Sequence, residues 1–183
     1  MATTTKLSEL TGHYVLDTVR TRIGFVARHT MATRVPGWFG AFEGGGYLDG
    51  DDPARSEVRF TMEANSIRTR NAQRDGLLVG KFLDAERHPV VTFASTAVER
   101  LDGDAFKLTG DLTIRGVTNP VTLDLVLTAA EHDPSGPRGA CRISFAGGTT
   151  IVRTDWGVNW NAATALTISR KVVLNLDVTA VRQ

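Results

Sequence analysis

Cysteine is nearly absent from this 183-residue chain, which contains only Cys141. A single thiol cannot form an internal disulfide, and it cannot supply the several thiolates of a structural zinc site. A disulfide-stapled scaffold and a zinc module are therefore excluded, and the fold must be stabilised by its apolar core.

An excess of charge of one sign is also absent, because 21 Lys and Arg residues balance 20 Asp and Glu residues. A formal net charge of +1 produces no broad electrostatic field that would attract nucleic acid or an anionic membrane surface. We therefore expect no nucleic-acid partner.

Long apolar runs are missing as well. Residues 1–17 contain one lysine and no apolar core of the length that a signal peptide needs, and no later segment approaches the ~20 apolar residues of a membrane span. These absences predict a protein of the cytoplasm without a membrane span.

The common catalytic motifs are missing too, since the chain has no Gly-x-Ser-x-Gly elbow, no phosphate-binding loop and no His-Glu-x-x-His helix. Only one of the four histidines, His29, falls on an apolar strand face. We expect a protein without catalytic activity, cofactor or metal. Two alternatives stay open: a cavity enzyme with His29 as general base oriented by Asp75 or Asp155, and an interaction module with a filled barrel.

What the chain does contain is apolar–polar alternation with a period of two, which is typical of half-buried strands. In residues 105–116 the even positions are mostly apolar. After a turn-like Thr118–Asn119–Pro120, the odd positions of residues 121–127 are apolar instead. These two segments are predicted to form an antiparallel pair. The C-terminal segment, residues 166–179, alternates over a greater length.

Earlier segments follow the same pattern. One predicted strand places Ile23, Phe25, Ala27 and His29 on one face, and another does so with Val58, Phe60, Met62 and Ala64. The period-two alternation is absent between Asn71 and Asp84, where the spacing of the apolar residues favours a helix with Asn71 as its N-cap.

Strands that each carry one apolar face must close on themselves or stack in two sheets. We predict an all-β fold, an antiparallel barrel of about eight strands with one short helix between the fourth and fifth strands. Residues 1–12 are expected to be a flexible N-terminal segment, and residues 13–183 a single domain. The interior of such a barrel is either filled or large enough for one small ligand.

An ordered set of short motifs resembles the YceI-like, polyisoprenoid-binding family. No single motif carries the resemblance, which extends from about Tyr14 to Ala180. The motifs are Tyr14–Asp17, Ile23–Phe25 leading to His29, Val35–Phe39, Ser66–Thr69, Arg74–Leu78, Phe82–Asp84, His88–Phe93, Leu108–Thr118 and Arg153–Gly157.

The resemblance implies a lipocalin-like barrel whose apolar cavity holds a long lipid, such as an isoprenoid quinone, another polyisoprenoid or a fatty-acid derivative. It also implies a homodimer, since members of the family are often dimers. The predicted function is therefore non-catalytic binding, transport or storage of an apolar lipid.

The predicted ligand-binding residues fall into three groups, and for each of them ordinary core packing is the alternative. Aromatic residues are the candidates for the cavity lining, and two residues of the helical segment could close the barrel. Polar residues mark the headgroup end. The lining set is Phe25, Trp38, Phe42, Phe60, Phe93, Phe106, Phe145 and Trp156, the closing pair is Leu78 and Phe82, and the headgroup set is His29, Arg74 and Arg153.

Overall fold

The fold consists of antiparallel strands with one short helical segment. The structure is a computed structural model that describes residues 5–29, 33–132, 140–159 and 168–183. Its strands are β1 Gly12–Leu16, β2 Arg22–Arg28, β3 Arg34–Phe39, β4 Phe42–Leu48, β5 Glu57–Glu63, β6 Ile67–Arg68, β7 Val90–Arg100, β8 Ala105–Ile114, β9 Val117–His132, β10 Cys141–Val152 and β11 Lys171–Arg182. The helix α1 spans Ala72–Leu77 and continues into a π-helical turn, Leu78–Phe82, and short 3₁₀ turns lie at Leu7–Leu10, Pro53–Arg55, Ala64–Ser66 and Arg153–Trp156.

Eight of the strands close into a ring in the order β1, β4, β5, β7, β8, β9, β10 and β11, because β11 pairs again with β1. Every neighbouring pair in the ring is antiparallel. The predicted eight-stranded antiparallel barrel is confirmed.

The remaining three strands form a side branch that we call the extension, β2–β3–β6. Strand β11 pairs through Ala180–Arg182 with β1, but through Val173–Asp177 it pairs with β2, and β3 and β6 follow. Where β11 changes partner, the Thr21 hydroxyl donates to the Thr179 carbonyl oxygen and accepts from the Thr179 amide, both at 3.0 Å. One end of the barrel is thus walled by β1 and the other by the extension.

The predicted alternation is confirmed along the long strands. In β8, Phe106, Leu108 and Leu112 are buried, and on β11 the even positions from Val172 to Ala180 face the interior. Residue 166 of the predicted C-terminal pattern lies outside the described residues.

The predicted pairing of residues 105–116 with residues 121–127 is confirmed, but the turn between them is not where we expected it. Thr118, Asn119 and Pro120 lie inside β9, and the chain reverses at Arg115 and Gly116, with φ of 51° and 74°. Two successive positive φ angles are the conformation of the tightest hairpin turn, whose twist matches that of the strands.

The helical segment begins as predicted, since the Asn71 side chain accepts a hydrogen bond of 2.9 Å from the Arg74 amide. By count the helix lies between the sixth and seventh strands. It follows the strand that contains Val58, Phe60 and Met62, and the count differs from the predicted one because residues 35–48 form two strands, β3 and β4, that reverse at Gly40 and Ala41, and Ile67–Arg68 adds β6.

Part of the N-terminal segment packs against the barrel. Residues 1–4 lie outside the described residues, but Leu10 is 0% exposed, and its carbonyl oxygen accepts a hydrogen bond of 2.7 Å from the Tyr14 hydroxyl. Leu7–Leu10 form a 3₁₀ turn, and the flexibility of residues 1–12 stays a prediction. None of the helices that the structure describes is long and apolar enough to cross a membrane.

Candidate functional site

The barrel interior contains two apolar chambers. The first, which we call the ring chamber, has a volume of about 110 Å³ and lies within the part of the barrel closed by β1. Its lining comprises Tyr14, Leu16, Gly45, Gly46, Tyr47, Leu48, Ser56, Glu57, Val58, Phe60, Val98, Phe106, Leu108, Leu125, Ile143, Phe145, Leu176, Val178 and Ala180.

The second chamber, which we call the extension chamber, has a volume of about 180 Å³ and takes part of its wall from β2, β3, β6 and the helical segment. Its lining comprises Ile23, Gly24, Phe25, Ala27, Phe39, Phe60, Met62, Ile67, Leu78, Phe82, Leu83, Val91, Phe93, Leu112, Ile114, Val121, Leu123, Ile151, Arg153, Val158, Val172, Leu174 and Leu176.

Two side chains, Phe60 and Leu176, belong to both linings, so the two chambers are adjacent and this pair lies between them. Phe60 is paired in register with Phe93, and the two rings stack with centroids 6.2 Å apart. The inward-facing row on β11 from Val172 to Ala180 runs past both chambers and spans roughly 26 Å at about 3.3 Å per residue. The two chambers together therefore suit a long, narrow and apolar molecule.

Aromatic and aliphatic side chains dominate both linings. In the ring chamber, Phe106 and Phe145 meet edge to face with centroids 5.7 Å apart. The Tyr14 hydroxyl donates a hydrogen bond to the Leu10 carbonyl oxygen, and burial raises the pKa of Tyr14 above its usual range. Such a surface interacts favourably with hydrocarbon and poorly with ions.

One lining residue of the extension chamber is a cation. Arg153 lines the extension chamber, although it is 5% exposed. Its Nε donates to the Ser169 carbonyl oxygen at 3.0 Å, its Nη1 to that of Val158 at 2.7 Å and its Nη2 to that of Ile168 at 2.9 Å. Burial, and then the nearby charge of Arg170, lowers the pKa of Arg153, but a guanidinium stays ionised near neutral pH.

No carboxylate among the described residues forms an ion pair with Arg153. Three of its five N–H groups donate to carbonyl oxygens, and the other two make no hydrogen bond within the described part of the chain. A buried guanidinium whose N–H groups are not all used by the described residues can bind an anionic group.

Comparison with known proteins assigns the family. The family model of the YceI-like domain matches residues 14–180. The chain belongs to the YceI-like family. A UPF0312 protein of Pseudomonas aeruginosa is 35% identical over 162 residues, which cover 88% of this chain and 81% of that protein.

Two solved structures show how widely the YceI-like fold is shared. BcnA of Burkholderia cenocepacia matches with a TM-score of 0.80 at 20% identity, covering 90% of this chain and 98% of that one. A polyisoprenoid binding domain from Saccharophagus degradans matches with a TM-score of 0.69 at 16% identity, covering 93% and 98%. At these identities the likeness establishes the fold.

Eight of the thirteen predicted site residues line a chamber of this YceI-like barrel. Phe106 and Phe145 line the ring chamber, and Phe60 lines both. The others, all in the extension chamber, are Phe25, Leu78, Phe82, Phe93 and Arg153.

The other five lie outside both linings, and ligand contact there stays a prediction. His29, which forms an isolated bridge with Ile168, is exposed, and Trp38 is on the outer face of β3 beside Arg22 and Arg70. Phe42 packs against the core from the edge of β4.

Arg74 and Trp156 have structural contacts. Arg74 donates through Nε to the Thr69 hydroxyl at 2.8 Å and through Nη2 to the Thr69 carbonyl oxygen at 2.7 Å, which secures the loop before α1. Trp156 is 3% exposed and donates through Nε1 to the Leu112 carbonyl oxygen at 2.8 Å, so it joins the β10 end to the barrel wall.

Sequence patterning missed most of the ring chamber, whose wall includes Tyr14 and Leu16 of β1 and Gly45 and Gly46 of β4. A side chain at Gly45 or Gly46 would run into the carbonyl oxygens of Tyr14 and Glu57. The glycine run was the available signal: it marks a place where strands approach closely and where no side chain fills the interior.

Within the described residues, His29 is not hydrogen-bonded to either carboxylate that the enzyme alternative requires to orient it. No hydrogen bond joins the His29 side chain to Asp75 or Asp155 there, and Asp75 accepts from the amide and hydroxyl of Thr69 at 2.8 and 2.5 Å. No cluster of His, Cys, Asp and Glu that could hold a metal ion occurs among the described residues.

Proposed function

We propose that this protein binds the apolar chain of a long lipid along its two chambers and carries or stores that lipid without chemical conversion. The observation that supports the proposal is the pair of adjacent apolar chambers, which share the lining residues Phe60 and Leu176. The ligand classes that fit are a polyisoprenoid, an isoprenoid quinone or a fatty-acid derivative.

The physical basis is removal of hydrocarbon from water, worth ~25 cal/mol per Å² of apolar surface buried. Such a chain needs no polar partners along its length, and the chambers offer almost none. The likeness to a Saccharophagus degradans domain described as polyisoprenoid binding supports the same ligand class.

Arg153 is the residue we assign to the headgroup. A phosphate or carboxylate at the end of the chain would accept from the two N–H groups that donate to no described residue, and the buried cation would gain a counter-ion. Its position in the extension chamber orients the ligand with the headgroup there and the tail toward the ring chamber.

Two cavities within the barrel favour this function over the interaction module with a filled interior. Carriage without catalysis is favoured over the cavity enzyme because the proposed base, His29, is exposed and lies outside both linings. Turnover of a bound lipid that disappears in His29→Ala would overturn the non-catalytic assignment.

The direct test is mass spectrometry of an organic extract of the purified protein. We expect a stoichiometric long-chain lipid, and added geranylgeraniol should displace it. A protein that carries no lipid and binds neither geranylgeraniol nor palmitate would overturn the proposal.

A matched pair of tryptophan substitutions tests the location of the ligand. Ala27→Trp fills the extension chamber and should lower geranylgeraniol loading several-fold through lost buried area. Val126→Trp adds the same side chain at a position 49% exposed and should leave loading unchanged. If Ala27→Trp carries as much geranylgeraniol as Val126→Trp does, the ligand does not occupy the extension chamber.

Self-association into a homodimer is part of the same proposal, since a barrel mouth with apolar neighbours is stabilised when a second copy covers it. Sedimentation velocity at micromolar concentration should show a dimer. A strict monomer at all accessible concentrations would exclude it.

A further inference from the structure

The outer face of the extension has a composition unlike that of the whole chain. On β2, Ile23, Phe25 and Ala27 face the extension chamber, so Arg22 and Arg28 face outward. Register pairs Arg28 with Arg34 on β3, and Trp38 with Arg68 on β6. We call this surface, made by Arg22, Arg28, Arg34, Trp38, Arg68 and Arg70, the arginine face.

All five arginines are exposed, and β2, β3, β6 and residues 69–71 contain no Asp or Glu. The carboxylate that register places nearest is Asp177 on β11, opposite Arg22, and no ion pair joins them in the described part of the molecule. A chain of net charge +1 therefore concentrates positive charge on one surface.

Two details indicate that this charge serves an anionic partner. Arg28 and Arg34 lie directly opposite each other on neighbouring strands, an arrangement that destabilises a sheet through like-charge repulsion. Arg22 and Arg70 both lie over the Trp38 ring, with guanidinium carbons 5.3 and 5.8 Å from its centroid. Contact with anions would relieve the repulsion in both places.

Apolar groups lie between the cations. Register aligns Pro36, Val26 and Val173 across β3, β2 and β11 as an outward strip, of which Val173 is 40% exposed. Arg28 and Arg34 border the strip on one side, and Trp38 with its two arginines borders it on the other. A tryptophan and aliphatic groups bordered by arginines match the boundary between lipid headgroups and acyl chains.

The geometry points to the arginine face as a docking surface for an anionic lipid bilayer. The same strands present their inner face to the extension chamber, so docking brings the chamber wall against a membrane surface. A phosphodiester backbone would match the cations but not the apolar strip. A second copy placed face to face would bring like charges together.

Vesicle co-sedimentation tests the proposal with vesicles of phosphatidylcholine alone and of phosphatidylcholine mixed with phosphatidylglycerol. The protein should bind only the mixed vesicles, and high salt should release it because the Debye length falls to about 3 Å at 1 M. Equal binding to both vesicle types, or binding to neither, would overturn the proposal.

A charge-matched pair of double variants locates the contact. Arg28→Gln/Arg34→Gln should weaken binding to the mixed vesicles about thirtyfold, or ~2 kcal/mol at 1.4 kcal/mol per tenfold. The variant should remain folded, because it removes a like-charge pair and neither side chain lines a chamber. Arg55→Gln/Arg59→Gln changes the net charge equally outside this face and should bind as the wild type does. Equal losses in the two variants would show a response to total charge alone.

Two further measurements separate this surface from other interpretations. Ala27→Trp should bind the mixed vesicles normally, because Ala27 faces the chamber; a loss there would mean that the cavity, and not the face, captures vesicles. Duplex DNA of mixed sequence should bind more weakly than the mixed vesicles, and the reverse order would reassign the face to nucleic acid.

Discussion

The two chambers are walled by the same ring of strands but differ in what completes each wall. Strand β1 and the glycine-rich β4 complete the ring chamber, whose polar groups include the engaged hydroxyl of Tyr14. The extension and the helical segment complete the other chamber, which also contains the cation of Arg153. The difference originates where β11 exchanges β1 for β2 near Thr179.

A change of strand partner can thus divide one barrel into an end for hydrocarbon and an end for a headgroup. The lining of the ring end contains no cation, whereas the extension end has Arg153 in its lining and arginines on its outer face. Substitutions that affect one end and spare the other test this division.

The largest effect is expected at Arg153. Arg153→Met leaves the carbonyl oxygens of Val158, Ile168 and Ser169 without their donor, which should lower the free energy of unfolding by about 3 kcal/mol. Palmitate binding should fall at least tenfold further than binding of the corresponding alcohol, because only the carboxylate loses an ionic partner. Urea unfolding and competition binding measure the two effects.

Arg74→Met is the control for this pair, since Arg74 also bonds to backbone but lies outside both chambers. Arg74→Met should change the binding of palmitate and of the corresponding alcohol by the same factor. A selective loss of acid binding in Arg74→Met, with none in Arg153→Met, would move the headgroup to the start of α1.

The boundary between the chambers is expected to determine chain length. Leu176→Trp adds bulk between the two chambers, so that geranylgeraniol should bind about tenfold more weakly while geraniol, short enough for one chamber, binds as before. Fluorescence competition measures both, with Leu176→Met as the volume-conserving control. Equal losses at both lengths would show that ligands do not cross the boundary.

A smaller effect is expected at the ring end. Tyr14→Phe removes the hydrogen bond to the Leu10 carbonyl oxygen and should cost about 1 kcal/mol at neutral pH, measured by urea unfolding. Burial raises the pKa of Tyr14, so the neutral phenol stabilises the fold fully below the unfolded pKa of about 10.

That contribution declines as the pH rises further. Between pH 10 and 11 the wild type should lose up to roughly 1.4 kcal/mol through this group, a loss that Tyr14→Phe should not show. Tyr47→Phe, which changes the other tyrosine of the ring chamber, serves as the control. A wild-type pH dependence that persists in Tyr14→Phe would assign it to another group.

The sequence by itself determined which side chains face the interior. Alternation along a strand is a local property of the backbone, so Phe25, Phe60, Phe106 and Phe145 could be assigned inward before their neighbours were known. The need to hide many apolar faces then favoured a closed barrel. The alternation placed His29 on the apolar face incorrectly, because β2 ends at Arg28 and the pattern does not extend beyond the strand.

Only the tertiary structure decided what those faces enclose. Whether inward side chains meet in a filled core or leave a chamber depends on strand pairing and on the close approach of β4 to its neighbours, neither of which is a local property. The composition did not indicate the arginine face, because Asp and Glu residues elsewhere in the chain balance its charge in the net total. Register between β2, β3 and β6 is what gathers Arg28, Arg34 and Arg68 on one face, because pairing determines which distant residues share a surface.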